Sequence, residues 1–326
     1  MNTLSVPDTR TVESVIALAC RAPSLHNSQP WRWVRDGHSL DLYCDPDRLL
    51  PSTDAFGRQM VISCGAALDH LQTAFAARNW QTDITRMPDN DRDHLAQIIV
   101  APAHHASAEA TDAAAAIVER RSDRLPLAAP TDLDALTLRL GALALVSHVR
   151  VDVLGRSAHA ELVHASALTS SQRQLDAMYQ DELYWWTGES TLPEGVPKSA
   201  LISAAEHDRV AMGRRFPVGK PRSRRHEIVE DRAAILVLST AADNRIDWLR
   251  TGEALSKVLL ECTARGLATC ALTHVTELPH SRNMIRSVSP TDGIPQVLVR
   301  VGIAPTAEDG PPTPRRPLSE VLFTKK

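Results

Sequence analysis

The sequence predicts a mixed chain of helices and sheets, α+β in content and α/β in alternation, divided into an N-terminal half at 1–108 and a C-terminal half at 109–326. Three observations predict it. At 326 residues the chain exceeds the length at which a single core usually stops growing. Helical and strand periodicities alternate along it, and the cycle starts again near Glu109. Finally, a shift of 187 residues carries Gly65-Ala66-Ala67-Leu68 onto Gly252-Glu253-Ala254-Leu255, with no gap needed through Thr82 and Thr269. Identical residues then fall at 65/252, 67/254, 68/255, 77/264, 78/265 and 82/269. Alanine-rich helices also match by chance, so the pattern alone leaves open a true repeat or one large α/β unit.

The elements follow in order. Thr11 to Cys20 places Val12, Val15, Ile16 and Ala19 on one helical face, and Pro23 ends that helix because proline disfavours α geometry in the residue before it. Trp31–Val34 and Ser39–Tyr43 alternate around Asp36-Gly37 as a β-hairpin. Met60 to Arg78 is a long apolar helix, and Gln97 to Val100 a buried strand. In the second half, helices run from Thr111 to Arg121, Thr131 to Leu140 and Ala158 to Thr169, with a strand from Val149 to Leu154. Periodicity is weak from Tyr184 to Glu230, which holds Trp185-Trp186, four prolines and the basic run Arg222-Ser223-Arg224-Arg225-His226. A strand at Ala233–Leu238, a helix from Trp248 to Arg265 and a strand at Gln296–Gly302 restore order.

Composition narrows the function. A net charge of −3 provides no global basic field, so neither nucleic acid nor an anionic membrane is expected as a partner, and any anion site must be a local cluster. The five cysteines form no C-x-x-C pair and read as buried small hydrophobes rather than a disulfide or zinc framework. No charged leader precedes an apolar stretch and no run approaches ~18 apolar residues, which makes the cytoplasm the expected location. His104-His105, His159 and His164, and Glu206-His207-Asp208 lack ligand spacing for a metal; solvated histidines are expected there. Neither a dinucleotide fingerprint nor a P-loop occurs.

Three segments carry candidate chemistry. Arg120, Ser122 and Arg124 alternate in a turn and suit a single anion, because guanidinium forks match phosphate geometry. Arg315-Arg316 offers a second pair; for both clusters a solvated basic turn is the alternative. The loop Ala22-Pro23-Ser24-Leu25-His26-Asn27-Ser28-Gln29-Pro30-Trp31 presents amides and hydroxyls that could hydrogen-bond a planar heterocycle, or it is a capped turn with Trp31 in the core.

Taken together, Ala-Pro-Ser-x-x-Asn-x-Gln-Pro-Trp, the R-x-S-x-R turn, the Gly-x-Ala-Leu helix ending in Arg-Gly-Leu and the C-terminal Arg-Arg-Pro-Leu resemble the FMN-dependent nitroreductase superfamily. The N-terminal half has the Gln-Pro-Trp loop without R-x-S-x-R, and the C-terminal half the reverse. That distribution resembles the Acg family of actinobacterial nitroreductase homologues, in which one chain holds two degenerate copies of the domain and mimics the nitroreductase dimer. The resemblance implies a nitroreductase fold with a lid-like insertion at about 184–230. It implies FMN held at its phosphate and ribityl end by Arg120, Ser122 and Arg124, joined by Arg315 or Arg316. Pro23, Ser24, Leu25 and Asn27, with His26 and Gln29 of the same loop, would line the ring. A loop reading Cys270-Ala271-Leu272-Thr273-His274 would pack near its N5 edge, with Ala271, Thr273 and His274 in contact. Many relatives place Glu-Gly where Thr273-His274 falls, and a histidine there is expected to crowd the ring.

The resemblance further implies NAD(P)H as electron donor and a nitro compound, quinone or similar small molecule as acceptor. The chain is expected to be a monomer resembling a dimer, with room for a further oligomer. A second reading is a protein that sequesters FMN under the insertion without turnover; a third is an α/β protein with no cofactor.

Overall fold

The computed structural model describes residues 6–187, 194–216, 224–305 and 312–325. The chain opens with α1 (Thr9–Ala19), whose first turn is capped by Asp8 accepting from the Thr11 amide. Val12, Val15, Ile16 and Ala19 are its buried residues. Full burial of a valine or isoleucine contributes about 1.5–3 kcal/mol, and this packing holds an eleven-residue helix that would be marginal alone. The hairpin β1 (Trp31–Asp36) and β2 (Ser39–Cys44) turns at Gly37, whose φ of +55° is the left-handed geometry such turns need. Then come α2 (Arg58–Ala76), β3 (Trp80–Arg86), β4 (His94–Pro102) and α3 (Ala108–Glu119).

The remainder comprises α4 (Leu133–Leu145), β5 (Arg150–Leu154), α5 (His159–Gln174), α6 (Ala177–Trp185) and α7 (Ala204–His207), followed by β6 (Ala234–Thr240) and α8 (Arg245–Ala264). After them run β7 (Ala268–Leu272), α9 (His274–Glu277), α10 (Pro279–Val288), β8 (Ile294–Gly302) and β9 (Leu322–Thr324). Among the described residues there are two sheets, ordered β3-β4-β2-β1-β9 and β5-β6-β8-β7. Setting β9 aside, each has its strands in the order first, second, fourth, third, with α2 or α8 between the second and the third. The tail strand β9 crosses to the first sheet and pairs in parallel with β1, Leu322 beside Trp33.

The long helices α2 and α8 pack together between the sheets. Polar pairs tie them laterally: His70 Nδ1 lies 2.8 Å from Ser256 Oγ, and Lys257 pairs with Asp69. Trp31, Trp33, Leu68 and Phe75 fill one core and Leu236, Leu238, Val297 and Val299 another, with Trp248 packed against both.

Several sequence expectations change. β3 and β7 had no expected counterpart: β3 alternates half-buried with exposed residues, and β7 is short and made of small residues, so neither shows a strong apolar period. Cys270–Leu272, read as loop, is the end of β7. Ile99 in β4 is 45% exposed, so that strand is not uniformly buried. Tyr184 and Trp185 finish α6, and the irregular stretch starts after them. Within that stretch, Ser203 and Glu206 form a capping box at α7. Residues 188–193 and 217–223 of the expected insertion, with Arg222 and Ser223 of the basic run, lie outside the described residues.

Candidate functional site

The loop after α1 is built from unusual backbone. His26, Asn27 and Gln29 have φ of +51°, +57° and +49°, a region costly for residues with a β-carbon, so surrounding bonds must hold them there. Ser24 Oγ accepts from the Gln29 amide at 3.0 Å, and the Leu25 amide donates to Ser63 Oγ of α2 at 3.3 Å. Asn27 Nδ2 donates to the carbonyls of Gly195 and Pro314 at 3.1 and 3.2 Å, joining the loop to two distant segments. Trp31 is fully buried in the core, as its alternative reading had it.

The turn after α3 lies along the edge of the second sheet. The Asp123 amide donates to the Thr269 carbonyl at 2.8 Å, and Ser122 bridges Thr269. Behind it, Arg225 donates to the Asp123 carboxylate, and Arg300 Nη2 donates to the Leu125 carbonyl at 3.1 Å while pairing with Asp231.

Three arginines from separate regions converge between loop and turn. Arg315 donates to the Cys20 and Arg21 carbonyls at 2.8 and 3.0 Å, and Arg120 Nη2 donates to the Arg21 carbonyl at 3.3 Å. Among the described residues none of Arg21, Arg120 and Arg315 is paired with a carboxylate, and the buried Nε atoms of Arg21 and Arg120 have no hydrogen-bond partner. Burial and the neighbouring guanidinium groups lower Arg120 to about 10 and Arg315 to about 9. Such a cluster is electrostatically unfavourable unless an anion completes it.

These arginines line an outer cavity of about 630 Å³, within the range of small-molecule sites, together with Ser122, Arg124 and Asn27. It adjoins an inner chamber of about 110 Å³, and Pro23, Ser24, His26, Ser122 and Arg124 line both. The chamber is walled by Leu25, by Gln59 and Ser63 of α2, by Cys270–His274, and by Met212, Arg214 and Phe216 of the irregular stretch. His26 is buried with both ring nitrogens unpartnered; burial and nearby Arg214 and Arg124 push it well below its ordinary value, so it is neutral. Its ring meets Phe216 edge-on at 5.9 Å, and Arg124 stands over the same Phe216 at 5.2 Å.

Of the expected site residues, Pro23, Ser24, Leu25, His26, Asn27, Arg120, Ser122, Arg124, Ala271, Thr273, His274 and Arg315 all line one cavity or both. Gln29 and Arg316 do not. Gln29 is fully buried and its side chain accepts from the Arg316 amide at 2.9 Å, while Arg316 donates to the Gln29 carbonyl and pairs with Glu320. His274 lines the inner chamber and its Nε2 lies 2.9 Å from Ser166 Oγ in α5; burial lowers its pKa to about 3. Sequence reasoning missed Arg21, Gln59, Ser63, Arg214 and Arg300. Arg21 directly precedes the loop and was findable by position, whereas Arg214 sits in a stretch with no periodicity.

No protein-family model matches the chain. A Mycobacterium tuberculosis protein named "Putative NAD(P)H nitroreductase acg" is 47% identical over 98% of both chains. A second M. tuberculosis relative carrying the name "Putative NAD(P)H nitroreductase" is 41% identical over 99% of this chain and 93% of its own. The solved FMN-dependent nitroreductase NfnB of Mycobacterium smegmatis, in complex with NADPH, aligns with a TM-score of 0.40 at 14% identity, covering 67% of this chain and 100% of that one. Identity at this level over nearly the whole of both partners settles descent: the chain belongs to the Acg family of nitroreductase homologues.

Proposed function

We propose that the protein is an FMN-dependent oxidoreductase that takes electrons from NAD(P)H and reduces a small acceptor such as a nitro compound or quinone. The observation that carries this reading is the set of Arg21, Arg120 and Arg315, none ion-paired among the described residues, in a cavity that adjoins the chamber behind Pro23–His26. A phosphate monoester suits the arginines, and the unpartnered nitrogens of His26 suit a heterocycle with donors and acceptors. Arg120 and Arg315, with Ser122, would hold the phosphate; Pro23, Ser24 and His26 would contact the ring, which Thr273 and Ala271 border. FMN bound there would supply the hydride- and electron-transfer chemistry. The protein's own residues bind, orient and exclude water. Membership of a family whose relatives are named NAD(P)H nitroreductases supports the donor.

The same reading takes 1–108 and 109–326 as degenerate copies that replace the two subunits of a dimer, with the site between them. The matching strand orders support it, as do the reciprocal reaches of two arginines 187 residues apart: Arg58 of α2 donates to the Thr276 carbonyl, and Arg245 of α8 to that of Arg92.

A second reading, FMN storage without turnover, is favoured by one observation: Met212, Arg214 and Phe216 of the irregular stretch wall the inner chamber, where they would cover a ring held against Pro23–His26. The stretch 194–216 would then act as a lid. Anaerobic addition of NADH or NADPH to the purified yellow protein separates the two. Bleaching of the flavin absorbance supports the oxidoreductase; persistent colour with both donors supports storage; a colourless protein that takes up no added FMN rejects both.

A further inference from the structure

The irregular stretch does more than cover the chamber. Among the inner chamber's lining residues there are three arginines, Arg124, Arg214 and Arg300, and neither aspartate nor glutamate. Arg300 comes from β8 and Arg124 from the turn after α3, but Arg214 is carried by the unpatterned stretch 194–216. Its guanidinium is gripped on several sides. It pairs with Glu277 of α9, donates to the Tyr179 hydroxyl of α6, and donates to Thr273 Oγ1 at 3.1 Å. Glu277 is almost wholly buried; Arg214 reaches both of its oxygens, and Arg173 approaches one of them, Oε2, at 3.6 Å. The carboxylate therefore faces two arginines, Arg173 being shared with Asp176 at 3.5 Å, and of these four groups Arg214 alone lines the chamber. Charge held in a buried, water-poor wall acts on a neighbour far more strongly than the same charge in solvent.

We propose that Arg214 is a specificity-determining residue of the inner chamber: with Arg124 it makes the chamber select a planar ligand that is an anion or becomes one on reduction. The inference rests on the flavin reading given above and deepens it. A hydride brings two electrons and one proton, so a neutral ring that accepts it from NAD(P)H takes on one negative charge while the donor leaves as NAD(P)+. A fixed cation at the lining stabilises the charged product over the neutral reactant, which raises the midpoint potential of the bound ring. Arg214 thus makes the stretch 194–216 part of the site's chemistry, whichever of turnover or storage follows.

The midpoint potential of bound FMN in the full-length protein, measured by stepwise dithionite titration against an indicator dye, tests this. Arg214→Gln is expected to move the potential to a more negative value, and Arg214→Lys to restore part of the difference. Glu277→Gln removes the compensating carboxylate and is expected to shift it the opposite way, which keeps the test informative should Arg214→Gln fold poorly. Equal potentials in the wild type and the variants, or shifts of the same sign in Arg214→Gln and Glu277→Gln, would overturn the proposal while leaving FMN binding intact. Benzoate and benzamide, alike in shape and different in charge, provide the flavin-free arm. Benzoate is expected to bind the flavin-free chain at least tenfold more tightly than benzamide, with the preference lost in Arg214→Gln. A wild type that takes up no FMN yet keeps this preference would reject the flavin reading and support the charge selection. Indifference of the wild type to the two probes would count against the charge selection.

Discussion

Gly65 and Gly252 meet backbone to backbone where α2 crosses α8. A β-carbon on Gly65 would stand 2.0 Å from the Leu249 carbonyl oxygen, and one on Gly252 would stand 2.0 Å from the Ile62 carbonyl oxygen. The two contacts map onto each other under the 187-residue shift, as in a self-complementary interface. The side chains trade places in the same way: Ile62 of α2 packs in the core of the second sheet, and Leu249 of α8 in that of the first.

Gly65→Ala and Gly252→Ala should therefore be similarly and severely destabilising, each by about 3 kcal/mol or more, because backbone cannot yield as a flexible side chain does. Urea denaturation checks this. A loss confined to one of the two would argue against a reciprocal crossing.

Arg315 and Arg316 should differ although they are neighbours. Arg315 lines the outer cavity and Arg316 does not. Arg315→Ala and Arg120→Ala should each weaken FMN by roughly ten- to a hundredfold, the loss of a charge-assisted contact of about 1.5–3 kcal/mol, with little effect on riboflavin. Fluorescence titration of both flavins measures the ratio. If Arg316→Ala proved the one that selectively loses FMN, the phosphate assignment would be wrong.

Acid should destabilise the fold through buried histidines. Burial holds His26, His70 and His274 neutral, His274 down to about 3. An unfolded histidine titrates near 6.5, so the unfolded state binds more protons below that pH. The stabilisation is complete above about 6.5 and falls as pH drops toward 3, by up to about 1.4 kcal/mol per pH unit for each group. Unfolding midpoints at pH 7.5 and 5.0 should differ less in His274→Gln than in the wild type; equal losses would exclude His274 as a contributor.

Asp231→Asn should disturb the anion site from a distance. Asp231 pairs with Arg300, which is 1% exposed, and accepts from the Leu127 amide at 2.8 Å, so its loss leaves a buried cation short of a partner beneath the turn 120–128. Breaking such a pair costs about 3–5 kcal/mol. Reduced stability accompanied by weaker FMN binding is the expected result, read by denaturation and by flavin release; unchanged FMN affinity would show that the turn holds its shape without this support.

Much was legible in the sequence where a signal is local or periodic. The apolar period of α1 named its four buried residues, Asp36-Gly37 marked the hairpin, and the 187-residue shift matched α2 to α8. Residue types and spacing marked the loop after α1 and the turn after α3 as candidates, and the resemblance to the family supplied the expectation of a ring at one and a phosphate at the other. Periodicity could not find β3 or β7, whose burial comes from neighbours in the sheet rather than from their own alternation.

The remainder depends on chain segments far apart in sequence, which only packing brings together. That Arg21, Arg120 and Arg315 share one cavity, that Arg316 turns away to Gln29, and that Arg214 from an unpatterned stretch reaches Glu277 are facts of three-dimensional arrangement. Sequence by itself determined the 187-residue correspondence between α2 and α8 and the chemical kinds of side chain available. Tertiary structure alone decided which charges are left without carboxylates, because that depends on which of 36 lysines and arginines and 39 acidic residues the fold brings within reach of one another.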